Sequence, residues 1–408
     1  MKYCTLAILM ALFFSKITAK PKDQPAFNAH DLSITWEPIQ NNYQNKEQSL
    51  NALTITNNGK NTLPASGWKM FFNDAGMLLP NTPTGNATIT FINGDLFSLT
   101  QPEMICDIHG RFLAAGADIL ETNTFGATSI TQSEFFVDDP REHGGRKDPE
   151  FYQKILEHKA LNDLAWEINE QSARQCRILA DRVGNETGRQ RFVAGAIGPL
   201  TVSLSNSPDA EDAGFRVVTF DQVKQAYAHQ VRALIAGGSD VLLVETIFDA
   251  LNAKAALVAI REVFDQDGLT AAGRELPVMI SAAVGRGGET MISAQTIEAL
   301  WIAVEHVKPL SIGLNCSLGP DLMYPFLEEL AHKADVAISC YPNAGLPNPL
   351  AATGFDLGPP DMARYLTDFA RAGLINIAGG CCGNTPEHIA AIAKALEGMP
   401  PRTLGVTA

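Results

Sequence analysis

From Gln101 onward, apolar runs of strand length alternate with amphipathic stretches of helix length. The strand-like runs are ADILETNTF (117–125), RFVAGAIG (191–198), DVLLVET (240–246), PVMISAAV (277–284), LSIGLNC (310–316), VAISCYPN (336–343) and INIAGGCC (375–382). Helix-period stretches lie between them at 159–183, 220–238, 253–264, 293–307, 322–334 and 359–373. Runs rich in Val, Ile and Leu belong to strands buried on both faces, as in parallel sheets covered by helices. Repeating units of this length predict a TIM-type barrel or a doubly wound sheet. Eight strands close such a barrel, and only seven are countable. The region opens on a helix-period stretch, PEMICDIHGRFLAAG (102–116), where a strand should stand. The first strand is therefore expected to be missing.

Ahead of Gln101 the pattern is different. LSITW, LNALTIT, GWKMFF and ATITFI are short β-rich runs separated by NN, NNG, PASG and NTPTGN, all turn chemistries. They predict a small antiparallel β-sandwich over residues 21–99. Trp36, Trp68 and Phe71 suit a sugar-stacking platform, but in a small sandwich aromatics serve more often as core, and the pattern favours core. Residues 1–20, MKYCTLAILMALFFSKITAK, have an early Lys2, an apolar run from Cys4 to Phe14 and a small residue at Ala19. That is the grammar of a secretory signal peptide, and the run is too short to span a bilayer.

Length and composition narrow the classes. The 408 residues predict two or three domains, and 46% apolar against 19% charged residues excludes a disordered chain. A formal charge of −14 argues against nucleic acid or an anionic membrane as partner, since both are bound through basic surface. The seven cysteines are too few and scattered for a disulfide scaffold. Cys106 and Cys176 fall in helix-like stretches and Cys340 in a strand, whereas Cys316, Cys381 and Cys382 end strand-like runs.

Polar residues gather at the C-terminal ends of the predicted strands, where a barrel carries its active site. Glu121, Asn123 and Thr124 end the first run, Glu245 the third, Asn315 and Cys316 the fifth, Asn343 the sixth, and Cys381 and Cys382 the last. Three thiolates with a fourth position open suit a catalytic Zn²⁺. The competing reading is three buried cysteines, a common fate for free thiols. The position beside glycines at two strand ends favours a metal.

ADILETNTFGAT, GAIGPL, VETIFDALNAKAA, GLNCSLGPD, YPNAGLPN and NIAGGCCGNTPEHIAAI together resemble the homocysteine-binding zinc domain of cobalamin-dependent methionine synthase. The resemblance covers residues 101–404, within a barrel domain placed at 100–405. It implies a (β/α)₈ barrel holding one zinc through Cys316, Cys381 and Cys382, with homocysteine sulfur in the open position. It also implies Glu245 as ligand of the substrate amino group, and Asn123 and Asn315 as pocket-lining residues. Methylcobalamin, on a separate domain or a cobalamin-carrying protein, is the implied methyl donor, although users of betaine or S-methylmethionine share the trio. The Asp-Gly-Gly-Met-Gly-Thr type loop that ends the family's first strand is absent, as are cobalamin and folate domains. FFVDDPREHGGRKDPEFYQKILEH (135–158) reads as an insertion and GRGGET (285–290) as a surface loop.

DLSITWEPIQNNYQ, LTITNNGKNTLPASGWKMFFN and ITFINGDLFSL resemble the N-terminal carbohydrate-binding domain of chitobiases and β-N-acetylhexosaminidases, over about residues 26–99. That resemblance implies export and a chitin-type oligosaccharide partner, whereas the barrel family is cytoplasmic. The two fragments meet near Thr100 without a Pro/Gly/Ser-rich linker, so the chain reads as a chimera. The sequence thus predicts a zinc-dependent homocysteine S-methyltransferase. The alternative is a secreted carbohydrate-binding protein, or a non-functional chimera, with a passive barrel.

Overall fold

The computed structural model describes residues 32–40, 50–57, 93–348, 351 and 354–405, with side chains from Asn93 onward. The signal-like segment 1–20, Trp68, Phe71 and the side chain of Trp36 lie outside the described residues. Two units are distinguished, Met1–Leu79 and Pro80–Ala408. In the first, β1 (Leu32–Gln40) and β2 (Leu50–Asn57) pair antiparallel from Leu32↔Asn57 to Gln40↔Leu50. The register shifts between Pro38 and Gln40, beside a residue with no N–H to give to the ladder. The remaining runs of the expected sandwich lie outside the described residues.

The second unit opens with two helices, α1 (Phe97–Thr100) and α2 (Pro102–Ala114). Seven strands follow: β3 (Ile119–Glu121), β4 (Phe192–Ile197), β5 (Val241–Ile247), β6 (Val278–Ala282), β7 (Ser311–Asn315), β8 (Ala337–Tyr341) and β9 (Ile377–Ala378). They form one parallel sheet in chain order, and each lies within the run read from the sequence, or one residue past its end. The architecture is TIM-type, with seven strands among the described residues and α2 in front of the first. The sheet curls. Ile119 on β3 and Ile377 on β9, its two edge strands, both pack on the inner cluster of Ala194, Val241, Leu243 and Met279.

Alternate residues face the other way. Leu242, Val244, Ile280, Ile312, Leu314 and Ile338 belong to the layer between sheet and helices. The principal covering helices are α3 (Ser129–Phe136), α4 (Pro149–Glu157), α5 (Lys159–Thr187), α6 (Phe220–Gly237), α7 (Ala250–Gln266), α8 (Ile297–Val304), α9 (Pro320–Lys333), α10 (Pro359–Arg371) and α11 (Pro386–Leu396). Their starts follow local chemistry. Thr219 and Gln222 form a reciprocal capping box at α6, and Asp249 caps α7 through the N–H of Leu251 and Asn252. Among the described residues no helix is long and apolar enough to cross a membrane.

Two stretches differ from the sequence reading in detail. Residues 93–99, assigned there to the sandwich, turn at Asn93–Asp95 and continue as α1. They bond to the barrel unit: Asn93 Nδ2 donates to Gln132 Oε1 (2.5 Å) and Gln175 Nε2 to Ser98 O (2.7 Å). The stretch read as an insertion contains α4, and its buried Lys147 is held by Glu134 (2.7 Å) and Asp139 (3.4 Å).

Candidate metal centre

The end of β7 turns sharply into the site. Cys316 and Ser317 both adopt left-handed backbone, with φ of 56° and 53°. Non-glycine residues reach that region only where the surroundings hold them. Here Ser317 Oγ donates to Val284 O (2.7 Å) and Asn343 N to Leu318 O (3.1 Å). The other two sulfurs come from the loop after β9. Cys381 N donates to Pro342 O (2.9 Å), Cys382 N to Asn343 Oδ1 (3.2 Å), and Ala344 N to Cys382 O (2.9 Å). This loop is thereby laced to the end of β8. Gly380 is required there, because a Cβ would meet Asn384 Cγ at 2.3 Å.

These two loops bring the three cysteines together. Cys382 Sγ lies 3.8 Å from Cys316 Sγ and 3.9 Å from Cys381 Sγ, and all three sulfurs lie within 4.8 Å of one another. Tetrahedral zinc with bonds of ~2.3 Å needs sulfurs ~3.8 Å apart. Hydrogen bonds from Cys381 and Cys382 push the Cys316 thiol down to about 3, while bonding to Cys316 pushes Cys381 and Cys382 up. A cation held by the three sulfurs would displace their protons. Cys382 is exposed and the other two are partly so, which leaves a face open to a ligand.

A second polar group lies on the inner wall of the sheet. Asn315, fully buried, accepts at Oδ1 from Ser281 Oγ (2.7 Å) and Thr246 N (3.2 Å), and donates from Nδ2 to Thr246 Oγ1 (2.8 Å). It ties β5, β6 and β7 together directly before Cys316, and it holds Thr246 at a φ of 52°. Its side chain supports the wall instead of facing an open pocket. Glu245 is 4% exposed, and no donor reaches its Oε1. Its carboxyl hydrogen-bonds Glu121 at the end of β3, and the Cys316 thiol lies within electrostatic reach. Burial pushes the Glu245 carboxyl up, and the neighbouring Glu121 charge pushes it further. Glu245 also borders a cavity of about 20 Å³ between β4, β5 and α7, enough for one water.

Asn123 is not at this wall. Its Nδ2 donates to Gly94 O (2.9 Å) and Ser98 Oγ (3.1 Å), fastening residues 93–98 to the loop after β3. Three participants were not singled out from the sequence as site residues: Glu121, noted only as a polar strand end, Tyr341 and Asp249. Period two along β3, β5 and β8 would have found the first two, since Ile119/Glu121, Leu243/Glu245 and Ser339/Tyr341 are inward pairs. Asp249 accepts from Ser203 Oγ (2.6 Å), Ser205 Oγ (2.6 Å) and Ser205 N (3.0 Å), which fixes the loop after β4.

A family model described as homocysteine S-methyltransferase matches residues 75–396, more than three quarters of the chain. The chain belongs to the homocysteine S-methyltransferase family. Membership makes it a methyltransferase acting on homocysteine, as the strand-end motifs imply. The match begins ahead of Gln101, in keeping with the bonding of residues 93–98 to the barrel. Among solved structures the fold is similar to the Escherichia coli homocysteine methyltransferase MmuM. The metallated form has 20% identity and a TM-score of 0.52, over 73% of this chain and 86% of that one. The oxidised form has 18% identity and a TM-score of 0.52, over 75% and 90%. Of the motifs read from the sequence, GLNCSLGPD and NIAGGCCGNTPEHIAAI supply the two loops that converge at the sulfur trio.

Proposed function

We propose that Cys316, Cys381 and Cys382 hold one zinc ion and that the homocysteine sulfur takes the remaining position. The observation that carries this reading is the sulfur spacing of 3.8 and 3.9 Å on two loops already bonded to each other through Asn343 and Pro342. Zinc bound there would keep the substrate thiol as a thiolate at neutral pH. The protein's own part is placement. Glu245 receives the substrate ammonium, and Asn315 sets both Cys316 and the Glu245–Thr246 turn by bonding across three strands. Asn123 acts at one remove, by docking residues 93–98.

In the reaction the substrate sulfur forms a bond to the methyl carbon while the donor–carbon bond breaks, its electron pair leaving with the donor. The product is methionine. We assign the donor as methylcobalamin presented by a separate domain or protein, on the resemblance of the strand-end motifs to cobalamin-dependent methionine synthase. Metal analysis of the reduced full chain tests the centre. About one zinc per chain is expected, falling below a tenth in Cys381→Ser. Full zinc retention in that variant rules out the assigned ligands.

A further inference from the structure

We propose that Glu121 is a second carboxylate for the ammonium of the amino-acid substrate, forming with Glu245 and Tyr341 a three-acceptor receptor beside the metal centre. The assignment rests on the homocysteine reading above and extends it to a residue on a different strand. Ile119 on β3 packs on the inner cluster that contains Leu243 of β5, so Glu121 and Glu245, each two residues further on, face the same inner side of the sheet, where their carboxyls interact. Tyr341, at the end of β8, is within electrostatic reach of both.

The bonding around this group is incomplete. Glu245 is 4% exposed with no donor to Oε1, and the buried Tyr341 Oη has no hydrogen-bond partner. Buried polar atoms are nearly always satisfied, so unpartnered ones that converge indicate a missing group. Its chemistry follows from the acceptors. Two carboxyls in contact cannot both ionise unaided, and a cation between them relieves that repulsion. An ammonium has three N–H donors and no acceptor, matching one oxygen from each of the three side chains. Glu121 is also the exposed member, whereas Glu245 is buried. A substrate thus meets Glu121 before the deeper Glu245. The receptor lies on the Cys316 and Cys381 side of the wall, since Asn315 and Thr246, the chain neighbours of Cys316 and Glu245, bond to each other, and Cys381 N donates to Pro342 O, directly after Tyr341. One molecule carrying a thiol and an ammonium a few bonds apart can therefore engage both.

The test compares two ligands on the zinc-loaded full chain by calorimetry: homocysteine, and 4-mercaptobutanoate, which lacks only the amino group. Glu121→Gln is expected to weaken homocysteine binding roughly 10- to 100-fold and to leave 4-mercaptobutanoate unchanged. Equal weakening of both ligands, or of neither, overturns the assignment. Should the Gln variant lose its native circular dichroism, Glu121→Asp keeps the charge and shortens the reach. A selective loss for homocysteine is again expected, and its absence again overturns the proposal. A wild-type protein that binds 4-mercaptobutanoate but not homocysteine refutes the receptor while leaving the metal centre standing. One that binds neither refutes the function proposed above.

Discussion

The middle of the sheet and its two edges are built differently. Strand β5 has seven residues, all buried, and β7 five, all buried. The edge strand β3 has three residues and β9 two, the latter half-buried throughout. The sulfur trio straddles this divide, with Cys316 after a central strand and Cys381 and Cys382 after an edge. The carboxyl pair straddles it too, with Glu245 central and Glu121 at the other edge. A site composed this way has one half fixed by the core and one half held by local hydrogen bonds. The difference teaches that affinity here depends on contacts that define the edges, even where they touch no ligand.

The sharpest way to break the comparison is to damage the centre. Asn315→Ala removes the acceptor for Thr246 N and Ser281 Oγ, beside the left-handed backbone at Thr246. A buried network broken on one side costs about 3 kcal/mol. Urea denaturation is expected to show a midpoint lowered to that extent, with zinc capacity lost in parallel. A variant as stable as the parent means that the strain at Thr246 offsets the lost bonds.

A smaller effect is expected at the edge. Asn376 N donates to Ile338 O (2.8 Å), Ile338 N to Asn376 Oδ1 (2.9 Å), and Asn376 Nδ2 to Arg402 O (2.8 Å). Arg402 in turn donates to Ala331 O and Ala334 O, both at 2.6 Å, at the end of α9. Asn376→Ala therefore loosens the root of β9 without altering a sulfur. We expect about 1–2 kcal/mol of lost stability and zinc affinity lower by roughly tenfold, read by competition with a chromophoric chelator. Zinc affinity unchanged alongside the stability loss shows that the bonds to Pro342, Asn343 and Ala344 hold the Cys381–Cys382 loop without help from Asn376.

The same divide explains what could be read in advance. The central strands were legible because burial on both faces leaves uninterrupted runs such as VLLVETI, and the trio because cysteines ending strands beside glycine have few other uses. Asn315 was legible as a position, but its direction was not, since a strand end points a polar side chain to the mouth or to the wall according to register. Glu121 was missed as a site residue because its meaning depends on curl, which brings together residues more than a hundred apart in the chain. Residues 93–99 were misplaced for a local reason: ATITFI runs into FINGDLFSL, and β-like alternation hides the turn at Asn93–Asp95.

That turn supplies the smallest effect. Asp95 Oδ1 accepts from Gly126 N (3.3 Å) and Oδ2 from Gln132 Nε2 (3.4 Å), both long, while burial pushes its carboxyl up to about 6. A carboxyl raised above its unfolded value of 3.8 gives stability that is fully present below that value and is lost as pH rises through about 6. At neutral pH the segment 93–98 is thus docked with an ionised, poorly solvated group. Asp95→Asn carries no charge at any pH, so its stability relative to the parent should rise between pH 4 and 7. The gain is on the order of 1 kcal/mol, because water reaches part of this residue. Parallel stability curves over that range would show that the long bonds to Gly126 and Gln132 already compensate the charge, and that this edge is as firmly set as the centre.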